Sequence, residues 1–252
     1  MTAQPILQTR GLGCTIGGAV IVSDVDLTIR RGELLGIIGP NGAGKTSLLN
    51  LLSGILTATS GTVHFAGQDI TAWPAYRRAR AGLDRTFQTS SVFPALSVAE
   101  NVRLAAQAHL GGNLRLWRLA DRQGETAERV GRALDSVGLT GRSAETAGLL
   151  SHGDRRKLEL AILLAGEPGV ILLDEPMAGM NAEDVPELTA LIAQVHKDHE
   201  ATVVMIEHHM DVVLELAQRI VVMHRGSLLV SGTPQQVMAD ATVQEAYLGG
   251  GL

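Results

Sequence analysis

Residues Gly39 to Ser47 read GPNGAGKTS and fit the pattern G-x-x-x-x-G-K-[ST]. Such a stretch is suited to holding a phosphate chain. Glycine lets the backbone close around phosphate oxygens, so Gly39, Gly42 and Gly44, with Pro40, Asn41 and Ala43 between them, would turn their N–H groups inward. Lys45 would reach the outer phosphates, and the Thr46 hydroxyl, followed by Ser47, would face a magnesium ion. The flanks agree with this reading. LLGII before the loop is a short apolar run, and KTSLLNLL after it has helical spacing, so the positive end of a helix would back the loop.

Two carboxylates follow a second apolar run in VILLDEP, residues 170–176. Ligands of parallel sheets gather at the carboxyl ends of the strands. Asp174 is therefore expected beside the phosphate loop, coordinating magnesium directly or through water, with Glu175 placed to orient or deprotonate an attacking water. TVVMIEHHM repeats the arrangement and leaves Glu207, His208 and His209 at the same edge. His208 could donate a hydrogen bond to the terminal phosphate. Gln88, at the end of RTFQ, carries an amide able to contact magnesium and water. By residue type alone, a histidine at a strand end such as His208 is more often a structural or surface residue, and any surface glutamine would look like Gln88.

A third stretch, LLSHGDRRKLELA, opens differently. Ser151 followed three positions later by Asp154 is a capping pattern, and Leu158, Ala161, Ile162 and Ala165 recur at helical spacing, so a helix is expected from Ser151. Arg155, Arg156 and Lys157 load its first turns with charge that the helix macrodipole disfavours. An anion would suit this place, yet the phosphate loop lies about a hundred residues upstream.

The elements that must position these residues are legible as an alternation. AVIVSDVDLTI and LLGII predict strands joined by a turn, and SGTVHFAGQDI predicts a hairpin with Gly61 and Gly67 as its turn residues. Residues 74–84 predict a short basic helix before a strand at RTFQ. From Ser97 to about Leu139 the pattern is helical. Strands at VILLD and TVVMIE then alternate with helices over 182–198 and 209–217, and RIVVMHRGSLLVSGT predicts a closing hairpin. Strand and helix alternation with apolar strands implies an α/β fold whose mainly parallel sheet is covered on both faces. With 45% hydrophobic and 19% charged residues and a net charge of −5, the 252-residue chain reads as ordered and globular and argues against a binder of nucleic acid through a basic face. Its single cysteine permits no internal disulfide. The start carries no secretory-signal pattern, and the apolar segments fall short of the roughly 20 residues that cross a bilayer as a helix.

Taken in order and spacing, the phosphate loop, Gln88, LSHGD, VILLDEP, AGMN and the strand ending at His208 resemble the ATP-binding subunits of ABC transporters over nearly the whole chain. The resemblance implies a RecA-like P-loop core with an antiparallel β-subdomain over 1–88 and 160–252, and an inserted helical subdomain over 89–159. It implies ATP and Mg2+ as cofactors and a head-to-tail dimer of two such subunits, identical or homologous. Ser151, His152, Gly153 and Asp154 would then meet the ATP held by the facing subunit, which supplies the missing anion. Gln88 would sense the nucleotide, His208 would act as the γ-phosphate switch, and AGMN, Ala178 to Asn181, would cross to the other site. TSSVFPAL would receive a helix of a membrane permease, with Val92, Phe93 and Leu96 as contacts. A solute-binding protein would be an indirect partner, the location the cytoplasmic face of the inner membrane, and nucleic acid no partner.

Departures from the family pattern are specific. His152 and Asp154 stand in place of a Gly and the Gln of the usual Leu-Ser-Gly-Gly-Gln, Asn181 stands where Asp is frequent, and Ile16 stands where an aromatic residue stacks on adenine. SHG, EPMAGMN, EHHMDVV and VQEAYLGG look most like the ATPase subunits of branched-chain amino-acid uptake systems, with urea and other small-solute importers close by. A soluble ABC ATPase acting on DNA or ribosomes usually carries two ATPase domains or a long coiled coil, and this sequence has neither. A P-loop kinase or GTPase leaves LSHGD and His208 unexplained.

Overall fold

The computed structural model describes residues 5–85, 92–110 and 119–248. The chain opens with β1 (Pro5–Ile16), β2 (Ala19–Arg30) and β3 (Leu34–Ile38), then α1 (Lys45–Ser53). Next come β4 (Ser60–Phe65), β5 (Gln68–Asp69), α2 (Ala75–Arg80) and β6 (Leu83–Arg85). Helices α3 (Val98–Leu110), α4 (Leu119–Ser136) and α5 (His152–Leu164) form a mainly helical stretch. Then β7 (Val170–Asp174), α6 (Val185–Asp198), β8 (Thr202–Ile206), α7 (Met210–Leu216), β9 (Arg219–His224), β10 (Ser227–Gly232), α8 (Pro234–Ala239) and α9 (Ala241–Leu248) complete the chain.

The central sheet runs β10-β9-β3-β8-β7-β6, parallel from β9 to β6, while β10 pairs antiparallel at its edge. Alternate residues of its strands enter two separate cores. Leu34, Ile38, Ile171, Leu173, Val203 and Met205 pack with α5, α6 and α7, whereas Leu35, Ile37, Val170, Leu172, Val204 and Ile206 pack with α1 and the second sheet. A sheet buried on both faces needs apolar side chains at every position, which explains why these strands read as continuous hydrophobic runs. The second sheet, β2-β1-β4-β5, is antiparallel. Its first strand was not anticipated from the sequence: bulges between Thr9 and Leu12 and between Leu12 and Cys14 break the period-two pattern that identifies strands. Gly67 is a turn residue as expected, but Gly61 lies within β4 and is no turn residue; a Cβ there would overlap the Gly11 carbonyl of the neighbouring strand.

Helix α1 is held at its far end by a buried cation. The Arg78 guanidinium donates to the carbonyls of Leu51 (2.7 Å) and Leu52 (2.8 Å), at the C-terminus of α1, and to Thr71 (2.9 Å) and Trp73 (3.0 Å). It thereby satisfies carbonyls that a helix end leaves without partners. Burial pushes Arg78 down to about 10, so it remains charged at neutral pH. The helical stretch joins the core of the sheet through Val98, Val102 and Ala106 of α3 and Ala133, Leu134 and Val137 of α4, and polar links add to this: His109 of α3 pairs with Asp84 of β6 at 2.8 Å, and Glu167 bridges Arg129 (3.1 Å) and Arg132 (2.6 Å) of α4. Among the described residues no helix is long and apolar enough to cross a membrane.

Candidate functional site

The parallel register sets the geometry of the site. Ile37 of β3, Ile206 of β8 and Asp174 of β7 stand in one row. One or two residues beyond that row the chain leaves the sheet at Gly39, at Glu207 and His208, and at Glu175. Gly39 and His208, 169 positions apart in sequence, thus share one edge because three parallel strands end together.

The loop after β3 has the shape that its glycines allow. Gly39 adopts φ +150°, Gly42 +78° and Gly44 +96°, all in the range that disfavours side chains. At Gly39 a Cβ would overlap the carbonyl oxygen of Met223, whereas at Gly42 it would meet nothing within 4 Å. The loop is therefore pressed against β9 on one side and open on the other. Gly44 caps α1, so the free N–H groups of the first turn, at Lys45, Thr46 and Ser47, point toward the loop. Lys45 is buried and donates to the carbonyls of Gly39 (2.7 Å) and Pro40 (3.1 Å). Burial lowers its pKa, against the opposing pull of Glu175 and Asp174. These donors and the open side of the loop fit a polyphosphate anion.

Asp174 is buried at the end of β7, where burial raises its pKa and the nearby Arg85 works against that rise. Arg85 lies on the neighbouring strand β6 and meets Asp174 at 2.6 Å. Glu175 follows with φ +51°, a left-handed backbone that a side chain rarely adopts and that turns the carboxylate away from the strand line. Its carboxylate lies 2.9 Å from His208 Nε2. The structure brings the two predicted residues together, although they are 33 positions apart. Among the described residues no group of three His, Cys, Asp or Glu side chains could hold a metal ion by itself. One carboxylate and the Thr46 hydroxyl suit a hard cation that takes its remaining oxygens from phosphates and water, as Mg2+ does, and do not suit an all-protein cage. Gln88 lies outside the described residues.

Sequence reasoning placed Glu207 at this edge without a role and passed over Arg85. Glu207 is buried, and its carboxylate accepts from the backbone N–H of Met177 (2.8 Å), His208 (2.7 Å) and His209 (3.1 Å), fastening the exits of β7 and β8 to each other. A carboxylate next to two histidines invites a chemical reading, and only the fold reveals three amides converging on it. Arg85 is hidden differently: a charged residue in a three-residue edge strand looks like a surface residue until its neighbour is known.

The third stretch forms the predicted start of α5. Ser151 is its N-cap, accepting from the Asp154 N–H at 3.1 Å and donating to the Asp154 carboxylate at 2.7 Å. Asp154 also pairs with Arg142, and its pKa is lowered by Ser151, Arg142 and Lys157, against burial, which is the largest single influence and raises it. The surplus cations are partly accounted for within the chain. Arg156 pairs with Glu159 (2.8 Å), Lys157 with Glu187 (2.6 Å), and Arg155 donates to the Gly148 carbonyl (3.3 Å). What remains offered outward is the helix start itself, with Ser151 and His152 exposed and Gly153 uncrowded, since an added Cβ would make only an ordinary contact with Asp184 at 3.9 Å. Ile16 stands half exposed at the end of β1, and Phe93 is exposed while Val92 packs on the core. Thr89 to Ser91 lie outside the described residues.

Residues 22–178 match the family described as ABC transporter, and residues 227–252 match the branched-chain amino acid ATP-binding cassette transporter family. The high-affinity branched-chain amino acid transport ATP-binding protein BraF of Pseudomonas aeruginosa is 36% identical, covering 98% of this chain and 99% of that protein. The corresponding protein LivG of Escherichia coli is also 36% identical, with the same coverage. Among solved structures, the ADP conformation of an ATP-binding cassette of an ABC transporter superposes with a TM-score of 0.85 at 27% identity, covering 98% of this chain and 100% of that one. A nucleotide-free cassette from an ABC transporter gives 0.84 at 27% identity, over 97% of this chain and 99% of that one.

Proposed function

The chain belongs to the ABC transporter family of ATP-binding subunits, and from that premise we propose how its site binds and hydrolyses ATP to drive uptake of a branched-chain or similarly small amino acid. The observation that carries the mechanism is the shared edge, where the phosphate loop, Asp174 with Glu175, and His208 leave three adjacent parallel strands. The loop amides and the start of α1 surround the phosphates. Lys45 exchanges the carbonyls of Gly39 and Pro40 for phosphate oxygens, so its ammonium is already desolvated and in place before ligand arrives. Thr46 and Asp174, together with Gln88, would hold magnesium, which when bound would supply charge neutralisation along the phosphates. Glu175 accepts a proton from the attacking water. His208, fixed against Glu175, donates to the terminal phosphate and so links the base to the group it acts on.

Ser151, His152, Gly153 and Asp154 complete the site of a facing subunit. In this reading the helix start of α5 offers its N–H groups to a γ-phosphate that its own chain does not hold. Closure of two subunits around two nucleotides is a ligand-driven shift between open and closed forms, and hydrolysis at Glu175 reverses it. The helical subdomain, over 89–159, passes that motion to permease subunits in the membrane through the surface around Phe93, and a solute-binding protein acts through them. The site faces the cytoplasm, peripheral to the membrane.

The test is the solution mass of the Glu175→Gln protein with and without ATP and Mg2+. From a chain of 26.6 kDa, ATP should double the mass, and Ser151→Arg in the same background should abolish the doubling while ATP binding to the monomer persists. Doubling that survives Ser151→Arg would remove the α5 start from the shared site. ATP bound with no change of mass would remove self-pairing and leave a different ATPase subunit as the partner.

A further inference from the structure

Arg85 is a buried cation whose contacts bridge two parts of the site. One guanidinium nitrogen meets Asp174 at 2.6 Å, where the side chains are 6% and 0% exposed. The other donates to the Asn50 amide oxygen and to Ser53 Oγ, the latter at 3.3 Å. Asn50 and Ser53 belong to α1, the same helix whose first turn carries Lys45 and Thr46. A guanidinium is a rigid planar fork, so the two sets of contacts are not independent: the position of α1 dictates where the Asp174 carboxylate can lie. Burying such a pair costs desolvation that attraction alone often fails to recover, so its contribution to stability is a weak reason for its presence. Its geometric effect is specific.

We propose that Arg85 is the positioning residue for magnesium, locking the Asp174 carboxylate to α1 so that Asp174 and the Thr46 hydroxyl meet one ion. The inference rests on the assignment of Asp174 and Thr46 made above. Arg85 takes Oδ2 of Asp174 and fixes the plane of the carboxylate; it touches neither nucleotide nor water in this role. A smaller or flexible side chain leaves Asp174 in place on β7 but removes the contact that ties its carboxylate to α1 through Asn50 and Ser53. Magnesium demands near-ideal octahedral geometry, so that loss weakens its retention more than it weakens the grip of the phosphate loop on the nucleotide.

The experiment uses the full chain and measures ATP binding by equilibrium dialysis, first in EDTA and then across a MgCl2 titration, beside the MgCl2 dependence of hydrolysis. For Arg85→Met, ATP affinity in EDTA should stay within about twofold of the parent, and the magnesium concentration giving half-maximal effect should rise by about tenfold or more. Arg85→Lys keeps the charge without the fork and should recover only a minor part of that shift. Half-saturation by magnesium within twofold of the parent would overturn the proposal. So would tighter magnesium retention, because the guanidinium would then be a competitor of the ion. If Arg85→Met does not fold, the Asn50→Ala, Ser53→Ala double variant keeps the ion pair and frees it from α1; a weaker shift in the same direction supports the lock, and none refutes it. Asp174→Asn separates the layers. No change in magnesium dependence there overturns the site assignment and this inference together, whereas a large change there with none in Arg85→Met overturns the positioning role alone.

Discussion

Replacing Glu207 by Gln alters one atom, and the structure sets what it should cost. The carboxylate is 2% exposed and accepts three backbone N–H groups, from Met177 on one oxygen and from His208 and His209 on the other. A hydrogen bond to an ionised group contributes about 1.5–3 kcal/mol, against about 1 for a neutral pair. The amide does best by turning its NH2 toward Met177 and keeping the oxygen on the two histidine amides. One bond is then lost, at about 2 kcal/mol, and two are weakened by about 0.5–1 kcal/mol each, giving about 3–4 kcal/mol in total. For a chain of 252 residues this lowers Tm by roughly 10 °C, which calorimetry of the ligand-free protein measures. The lost clamp also loosens the exits of β7 and β8, on which Glu175 and His208 sit at 2.9 Å, so kcat should fall by about tenfold or more with ATP affinity in EDTA unchanged. A Tm shift below about 3 °C would refute the energetic reasoning. A large Tm loss with kcat intact would refute the link from clamp to catalysis.

Two other outcomes test separate parts of the fold. Gly39→Ala places a Cβ inside the Met223 carbonyl at φ +150° and should destabilise the ligand-free protein by at least about 3 kcal/mol, read from denaturant unfolding; a loss under about 1 would show that the loop can shift off β9. His109 is held above its ordinary pKa of 6.5, first by its hydrogen bond to Asp84, with burial and the nearby Arg129 opposing. A raised folded pKa means that the stabilisation is complete below about 6.5 and is lost as pH rises through the folded value. Tm should therefore fall from about pH 6 to 8.5 with a component that His109→Gln removes, and an identical slope in both proteins would rule out the pair as its source.

The sequence displayed the parts of this molecule whose physics is local. A phosphate loop is local because its glycines, its lysine and its helix are consecutive, and the Ser151 cap is local because its partner is three residues away. What stayed hidden depends on neighbours in space. Gly61 looked like a turn residue because the backbone crossing over it, at Gly11, is fifty positions distant. β1 went unseen because its bulges disturb the alternation, and its pairing with both β2 and β4 holds it as a strand regardless. The cations at the start of α5 looked unmatched because Glu187, which answers Lys157, sits on α6. Arg85 and Glu207 belong to the same class: each is one residue whose meaning is the set of groups aimed at it.

The buried Arg78 has a mechanical consequence for the site it never touches. With four carbonyls gripping one guanidinium behind α1, and the loop at its front wedged against Met223, the helix cannot recoil along its axis when phosphates press on its first turn. The helix is thus an anvil: backed by Arg78 and faced by Met223, it can meet a phosphate chain at its first turn without giving ground.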